Sequence, residues 1–197
     1  MKATTKIIAL TDTAPLAIRA ERALDVVTRE RLLDATFGDN RHARTCQRLR
    51  DGRAPAEGLA FSVVRDGNLI GTVRLWHVNA GGIPALVLGP LAVDASCRKL
   101  GAGAALMTRA LDVAQVRGHG AVILLGDEPY YSRFGFSADK TGNLALPGPF
   151  ERERLLAVEL RAGALDGACG MILATGAIAA DASGVHRREI RPLARAA

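Results

Sequence analysis

The chain has 197 residues, 49% hydrophobic and 23% charged, with a formal net charge of +6, which suits one domain with a sizeable core and is short for two. The modest basic excess fits an anionic ligand such as a phosphorylated cofactor, and an aromatic content of only 4% disfavours nucleic acid, whose single strands are gripped by aromatic stacking. Cys46, Cys97 and Cys169 lie far apart with no Cys-x-x-Cys pair, which argues against a disulfide framework or zinc ribbon and for a reducing, cytoplasmic setting, and no apolar run is long enough to span a bilayer.

Lys2 and Lys6 precede a short apolar run that Thr11, Asp12 and Pro15 interrupt too early for a secretory signal. LAIRAERA, 16–23, predicts a first strand. DVVTRERLLDATFG, 25–38, has helical spacing at Val26 or Val27, Leu32, Leu33 and Phe37, with Gly38 as the C-cap. Residues 39–57 are polar and arginine-rich, a short helix plus loop. On that helix His42 and Cys46 would share a face at metal-ligand spacing, but no third ligand is in sequence reach, and no metal is expected. GLAFSVVRDGNLIGTVRLWHV, 58–78, predicts a hairpin turning at Asp66-Gly67.

A strand follows from Ile83 to Val93, then a helix from Gly103 to Val116 with Leu106, Met107, Ala110, Leu111 and Ala114 on one face. AVILL, 121–125, is a short strand apolar on both faces, so strand, helix and strand make a parallel βαβ unit. A helical turn at Tyr130 to Arg133, a strand RLLAVELR at 154–161 and an apolar stretch CGMILAT at 169–175 complete the body. The expected division is one domain over 1–176 and a tail or docking arm, rich in alanine and arginine, over 177–197.

The junction before the second helix reads Arg98-Lys99-Leu100-Gly101-Ala102-Gly103. The first N–H groups of a helix lack intrahelical partners, and the dipole makes that end positive. Glycines there let an anion approach without meeting a Cβ, and Arg98 and Lys99 add charge. A phosphate or pyrophosphate is the natural guest; close helix–sheet packing alone is the other reading of the glycines. A dinucleotide fingerprint fails because position 106 is Leu and no acid ends AVILL. A P-loop fails for want of Gly-Lys-Ser/Thr. Pro90, inside the strand before the turn, marks a bulge or an edge.

Arg-x-x-Gly-x-Gly after Leu-Ala-Val-Asp, a proline-marked bulge before it, and Tyr-x-x-x-Gly-Phe in YYSRFGF, 130–136, together resemble the GNAT superfamily of N-acetyltransferases. The segment GDEPYYSRFGF is similar to that of a bacterial subgroup. The resemblance covers most of 16–161. It implies an α/β fold with a mixed central β-sheet, splayed between two parallel strands and flanked by helices, that binds acetyl-CoA in the split. It implies that Arg98, Lys99, Leu100, Gly101, Ala102 and Gly103 wrap the pyrophosphate, and that the bulged segment Leu91, Ala92, Val93 meets the pantetheine arm and acetyl carbonyl through the N–H groups of Leu91 and Val93. It places Tyr131 at the sulfur. Many members carry an Asn near the end of the AVILL strand; this chain reads Leu124-Leu125-Gly126-Asp127 there.

The implied activity is N-acetyl transfer from acetyl-CoA to a primary amine, directly in a ternary complex. Tyr131 is the expected general acid, since an ordinary phenol at about 10 and thiol at about 8.5 are close; filling the gap between strands is its plain structural alternative. His77, Asp127 and Glu128 are candidate bases, the other readings being a water chain or an amine that arrives already neutral, and Trp76 stands at the acceptor mouth, in the core or at the rim. Arg41, Arg44, Arg48, Arg50 and Arg53 form a basic patch, either a solvated face or a receiver for an acidic acceptor. The alternative functions are a non-catalytic acyl-CoA sensor and a basic interaction protein. The expected partners are acetyl-CoA and an amine; a homodimer is compatible with the chain and a membrane is not expected.

Overall fold

The computed structural model describes residues 15–179. Its strands and helices are β1 (Ala17–Ala20), α1 (Val26–Phe37), β2 (Ala60–Arg65), β3 (Asn68–Ala80), β4 (Ile83–Val93), α2 (Ala102–Val116), β5 (Ala121–Leu125), α3 (Glu128–Tyr131), β6 (Leu144–Ala145), β7 (Leu155–Glu159) and β8 (Gly170–Ala174). The sheet runs β1-β2-β3-β4-β5-β7, with β4 and β5 parallel and the other neighbours on this path antiparallel. The long β3 pairs with β2 through its first half and with β8 at Val78–Ala80. Asp66 and Gly67 both have positive φ, the conformation a two-residue hairpin turn requires.

Period-two alternation splits the core between the two faces of the sheet. Leu75, Leu86 and Leu88 face α2, which buries Leu106, Met107, Ala110 and Ala114 on that side. Trp76, Ala85 and Val87 face the other way, against Leu49, Leu144 and Leu165. Burying a side chain such as Leu106 or Met107 stabilises by roughly 1.5–3 kcal/mol, and this two-sided cover explains why β5 is apolar throughout.

The region expected to be one short helix is two 3-10 turns, Asp39–Ala43 and Thr45–Leu49. Arg44 between them is extended, with φ −67 and ψ 143. His42 and Cys46 therefore do not share a helical face: His42 is exposed, while Cys46 is half-buried. Residues 177–179 still pair with the body, Ala54 N–H donating to the Ala177 carbonyl and Ala179 N–H to that of Gly52. The rest of the expected tail, 180–197, lies outside the described residues. Among the described residues no helix is long and apolar enough to cross a membrane.

The entry to α1 is fixed by the buried Asp25. Its carboxylate accepts from Arg19 at 2.5 and 2.7 Å, from the Arg22 N–H at 2.8 Å and from the Ser62 hydroxyl at 3.2 Å. The Arg19 hydrogen bond, opposed by burial, holds this carboxyl well below the usual range. A depressed folded-state pKa contributes stability that is present above about pH 4 and lost as pH falls below it. Asp25→Asn is expected to unfold about 1.5 kcal/mol more easily at pH 7 and to show a shallower acid loss than the wild type, read by urea titration at pH 7 and pH 3. Equal acid slopes would remove Asp25 from this role.

Candidate active site

β4 and β5 are paired only at Leu86↔Val122 and Val87↔Ile123. Beyond these, β4 continues to Val93 while β5 ends at Leu125, and the strands part. The separation begins at a bulge. On β3, Val73 faces Leu91 and Leu75 faces Leu88, so Gly89 and Pro90 together oppose Arg74. Gly89 takes φ +136 there, a conformation that L side chains rarely adopt. The Trp76 indole N–H donates to its carbonyl at 2.5 Å. Trp76 is thus a core residue that holds the bulge, not a wall of the acceptor mouth.

Alternation then decides which groups of β4 enter the gap. Asp94 N–H donates to the Ile70 carbonyl, and the Ala92 carbonyl lies 3.1 Å from where a Cβ on Gly71 would stand. Both therefore face β3. Leu91 and Val93 face the other way, into the split. Ala92 does not: it is buried against Leu32 and Leu33 and serves as the spacer between them.

One end of the split meets the turn 98–103. Arg98, Lys99, Leu100 and Gly101 are exposed, Gly103 is half-buried, and Ala102 turns its methyl into the core. Lys99 has φ 76, a left-handed conformation that costs a non-glycine residue roughly 1 kcal/mol. Gly101, the N-cap of α2, has φ 78, and a Cβ there would meet no atom within 4 Å. The first intrahelical bond runs from Ala105 N–H to the Gly101 carbonyl, so the N–H groups before it are open to a ligand. A Cβ on Gly103 would come 3.0 Å from the Tyr130 hydroxyl, which places that phenol over the turn.

The other end opens into a cavity of about 670 Å³ lined by Leu88 to Leu91, Leu124 to Asp127, Tyr131 and several arginines. Tyr131 packs edge-on to Tyr130, with ring centroids 4.9 Å apart, and against Phe136. Two adjacent tyrosines thus reach opposite ends of the split. Burial, followed by the nearby Tyr130 and Asp127, pushes the Tyr131 phenol up to about 12. Its hydroxyl has no hydrogen-bond partner among the described residues.

The candidate bases fare unequally. Asp127 lines the cavity, and so does Glu151, which nothing in the sequence marked. Both lie beside Arg154, at 3.2 and 3.7 Å. Glu128 is exposed outside the cavity. His77 lies in a separate cavity of about 360 Å³ beside His119, ring centroids 5.4 Å apart. Burial, then His77 and Arg117, lowers the pKa of His119. Cys46 lines the main cavity, where burial raises its thiol pKa. Cys97 is half-buried beside Ser96, whose hydroxyl lies 3.6 Å from its sulfur, and packs against the α2 side of the core.

A mixed sheet parted between two parallel strands, with open N–H groups on a basic turn at one end of the gap and a lined cavity at the other, suits an extended ligand with an anionic end. Residues 24–136 match the acetyltransferase (GNAT) family, and the chain belongs to it. It is 30% identical over 159 residues to the uncharacterised N-acetyltransferase YhbS of Escherichia coli K12, covering 80% of this chain and 95% of that protein. The crystal structure of E. coli YhbS in complex with CoA superposes with a TM-score of 0.71 at 30% identity, over 82% of this chain and 91% of that one. A GNAT family acetyltransferase from Brucella melitensis in complex with acetyl-CoA superposes with a TM-score of 0.55 at 25% identity, over 74% and 96% of the chains.

Proposed function

We propose that the chain transfers an acetyl group from acetyl-CoA to a primary amine, directly within a ternary complex. The observation that carries this reading is the split itself: unpaired backbone at Leu91 and Val93 runs between the 98–103 turn and the cavity that holds Tyr131. Acetyl-CoA supplies the activated thioester. The open N–H groups of the turn, with Arg98 and Lys99, receive its pyrophosphate. The N–H groups of Leu91 and Val93 polarise the carbonyl where negative charge develops, as an oxyanion site does. Tyr131 donates a hydrogen bond to the sulfur as negative charge gathers there. Arg44 and Arg50 line the same cavity, and cations there favour the neutral form of an arriving amine. As the C–N bond forms and the C–S bond breaks, the nitrogen passes its surplus proton to solvent in the cavity and the departing CoA thiolate takes one from solvent, so no side-chain base is assigned at the nitrogen. Calorimetric titration with acetyl-CoA, followed by CoA release against amines of several classes, tests the reading. Binding without release to any amine would leave a sensor.

Cys97 sits at the turn and is not among the residues lining the cavity. A nucleophile must come within about 3–3.5 Å of the carbonyl carbon, and the pantetheine arm separates that carbon from the pyrophosphate. Cys97→Ala is expected to keep most of the turnover, with intersecting initial-rate plots. An acetylated Cys97 peptide that forms and decays at the rate of turnover, seen by quenched-flow mass spectrometry, would establish a covalent route instead.

A further inference from the structure

The cavity beside the split carries positive charge that the fold does not balance. Arg50 follows the second 3-10 turn, and its side chain reaches the bulge: Nη1 lies 3.6 Å from the position a Cβ on Gly89 would take. Its Nε donates to the Cys46 carbonyl at 3.1 Å. Among the described residues neither Nη1 nor Nη2 has a protein acceptor, and no carboxylate forms an ion pair with this guanidinium.

The neighbouring arginines are committed elsewhere. Arg41 is bound to Glu30 and Asp34 at 2.5 and 2.6 Å. Arg48 donates to the Pro147 carbonyl and Arg53 to that of Gly176, each at 2.6 Å. Arg154 pairs with Asp127 and Glu151. Arg44 lies over the Phe37 ring and makes a single long hydrogen bond, 3.4 Å, to the Phe37 carbonyl. Burial depresses the pKa of Arg50, with Arg41 and Arg44 adding to the effect and Cys46 and Asp51 opposing it. A guanidinium nevertheless stays charged. This one is half-buried at the cavity wall, with only its Nε engaged among the described residues, so its two Nη groups remain available to an anionic ligand in the cavity.

The geometry points to Arg50, with Arg44 at the same cavity wall, as the dock for a carboxylate on the acceptor: a small amine of the amino-acid class. This rests on the acetyl-transfer reading above. A guanidinium fork matches a planar carboxylate through two parallel hydrogen bonds. Gly89, beside the fork, lies two residues before Leu91, at the expected carbonyl site, and both line the same cavity. The acid and the amine of the acceptor are therefore separated by only a few bonds. Polyamines and aminoglycosides would bring further positive charge against Arg44 and Arg50, which disfavours them.

The test titrates α-, β- and γ-amino acids, the matching carboxamides and one aminoalkylphosphonate, by calorimetry in saturating CoA, into the wild type, Arg50→Met and Arg50→Lys. In the wild type at least one acid is expected to bind tenfold or more tighter than its carboxamide. In Arg50→Met that preference falls below threefold while CoA affinity is retained. Arg50→Lys, which keeps the charge and loses the fork, falls between them. No preference for acids in the wild type, through equal binding or through none, overturns the proposal. So does a preference that survives in Arg50→Met, and tighter binding of the phosphonate overturns the carboxylate assignment. Failure of the acetyl-transfer reading shows separately, as absence of CoA binding in the same titrations or of CoA release with every amine.

Discussion

Tyr131→Phe is expected to lower turnover about a hundredfold and to leave acetyl-CoA affinity nearly unchanged. The ring fills the space beside Gly126, where an added Cβ would come 2.2 Å from Tyr131 Cε2, and it packs on Tyr130 and Phe136. Phenylalanine keeps all of that packing. The hydroxyl makes no hydrogen bond within the described protein, so its loss strands no partner. What disappears is a proton held in the cavity. With the phenol pushed up to about 12, the gap to an ordinary thiol at about 8.5 is wider than the sequence suggested. Complete proton transfer to the thiolate is uphill by roughly 3–4 pKa units, or about 5 kcal/mol. Tyr131 therefore acts chiefly as a hydrogen-bond donor that strengthens as charge gathers on sulfur. The raised pKa also fixes the sign of the pH effect. Below about 12 the phenol keeps its proton, so no falling limb near pH 10 belongs to it. Single-turnover rates with a true acceptor, wild type against Tyr131→Phe, decide the matter. A near-normal rate would reduce Tyr131 to packing, and a wild-type limb at pH 10 that vanishes in Tyr131→Phe would overturn the raised pKa.

Most of the sheet was legible because its strands obey local rules. Ile83–Val93 and Ala121–Leu125 have the bounds expected from their apolar runs, and Asp66-Gly67 turns the hairpin. The turn at 98–103 was legible because helix ends expose the same N–H groups in any fold. Pro90 announced the bulge because proline cannot pair there. What stayed hidden depends on contacts distant in sequence. The arginines of 41–53 read as one basic patch, a solvated face or a receiver for an acidic acceptor, and only the folded chain separates Arg41, neutralised by Glu30 and Asp34, from Arg50, which is left facing the cavity. Trp76 lies thirteen residues from Gly89 in sequence, and their hydrogen bond across the β3–β4 ladder is set by the bulged register. Glu151 reaches the cavity from a loop without periodicity. His77 was misplaced because a strand residue one step out of phase faces the opposite side of the sheet.

Gly101→Asp is expected to weaken acetyl-CoA binding at least thirtyfold, about 2 kcal/mol. The backbone there is left-handed, with φ 78 and ψ 0, a region in which Asn and Asp are the side chains best tolerated after glycine. A Cβ would meet no atom within 4 Å, so either side chain projects into the space the pyrophosphate is proposed to fill. Gly101→Asn and Gly101→Asp share the backbone strain and nearly the same shape, and differ in one charge. In the free protein that charge lies at the N-terminus of α2, where the dipole favours an anion by roughly 0.3–1 kcal/mol. Against a pyrophosphate the same charge is repulsive. Aspartate should therefore be at least as stable as asparagine in thermal unfolding, yet bind acetyl-CoA markedly more weakly in calorimetry, with the difference shrinking as salt is raised. Stability and affinity moving in opposite directions is a signature that damage to the fold cannot produce. If the two variants bind acetyl-CoA equally, the pyrophosphate does not lie at this turn.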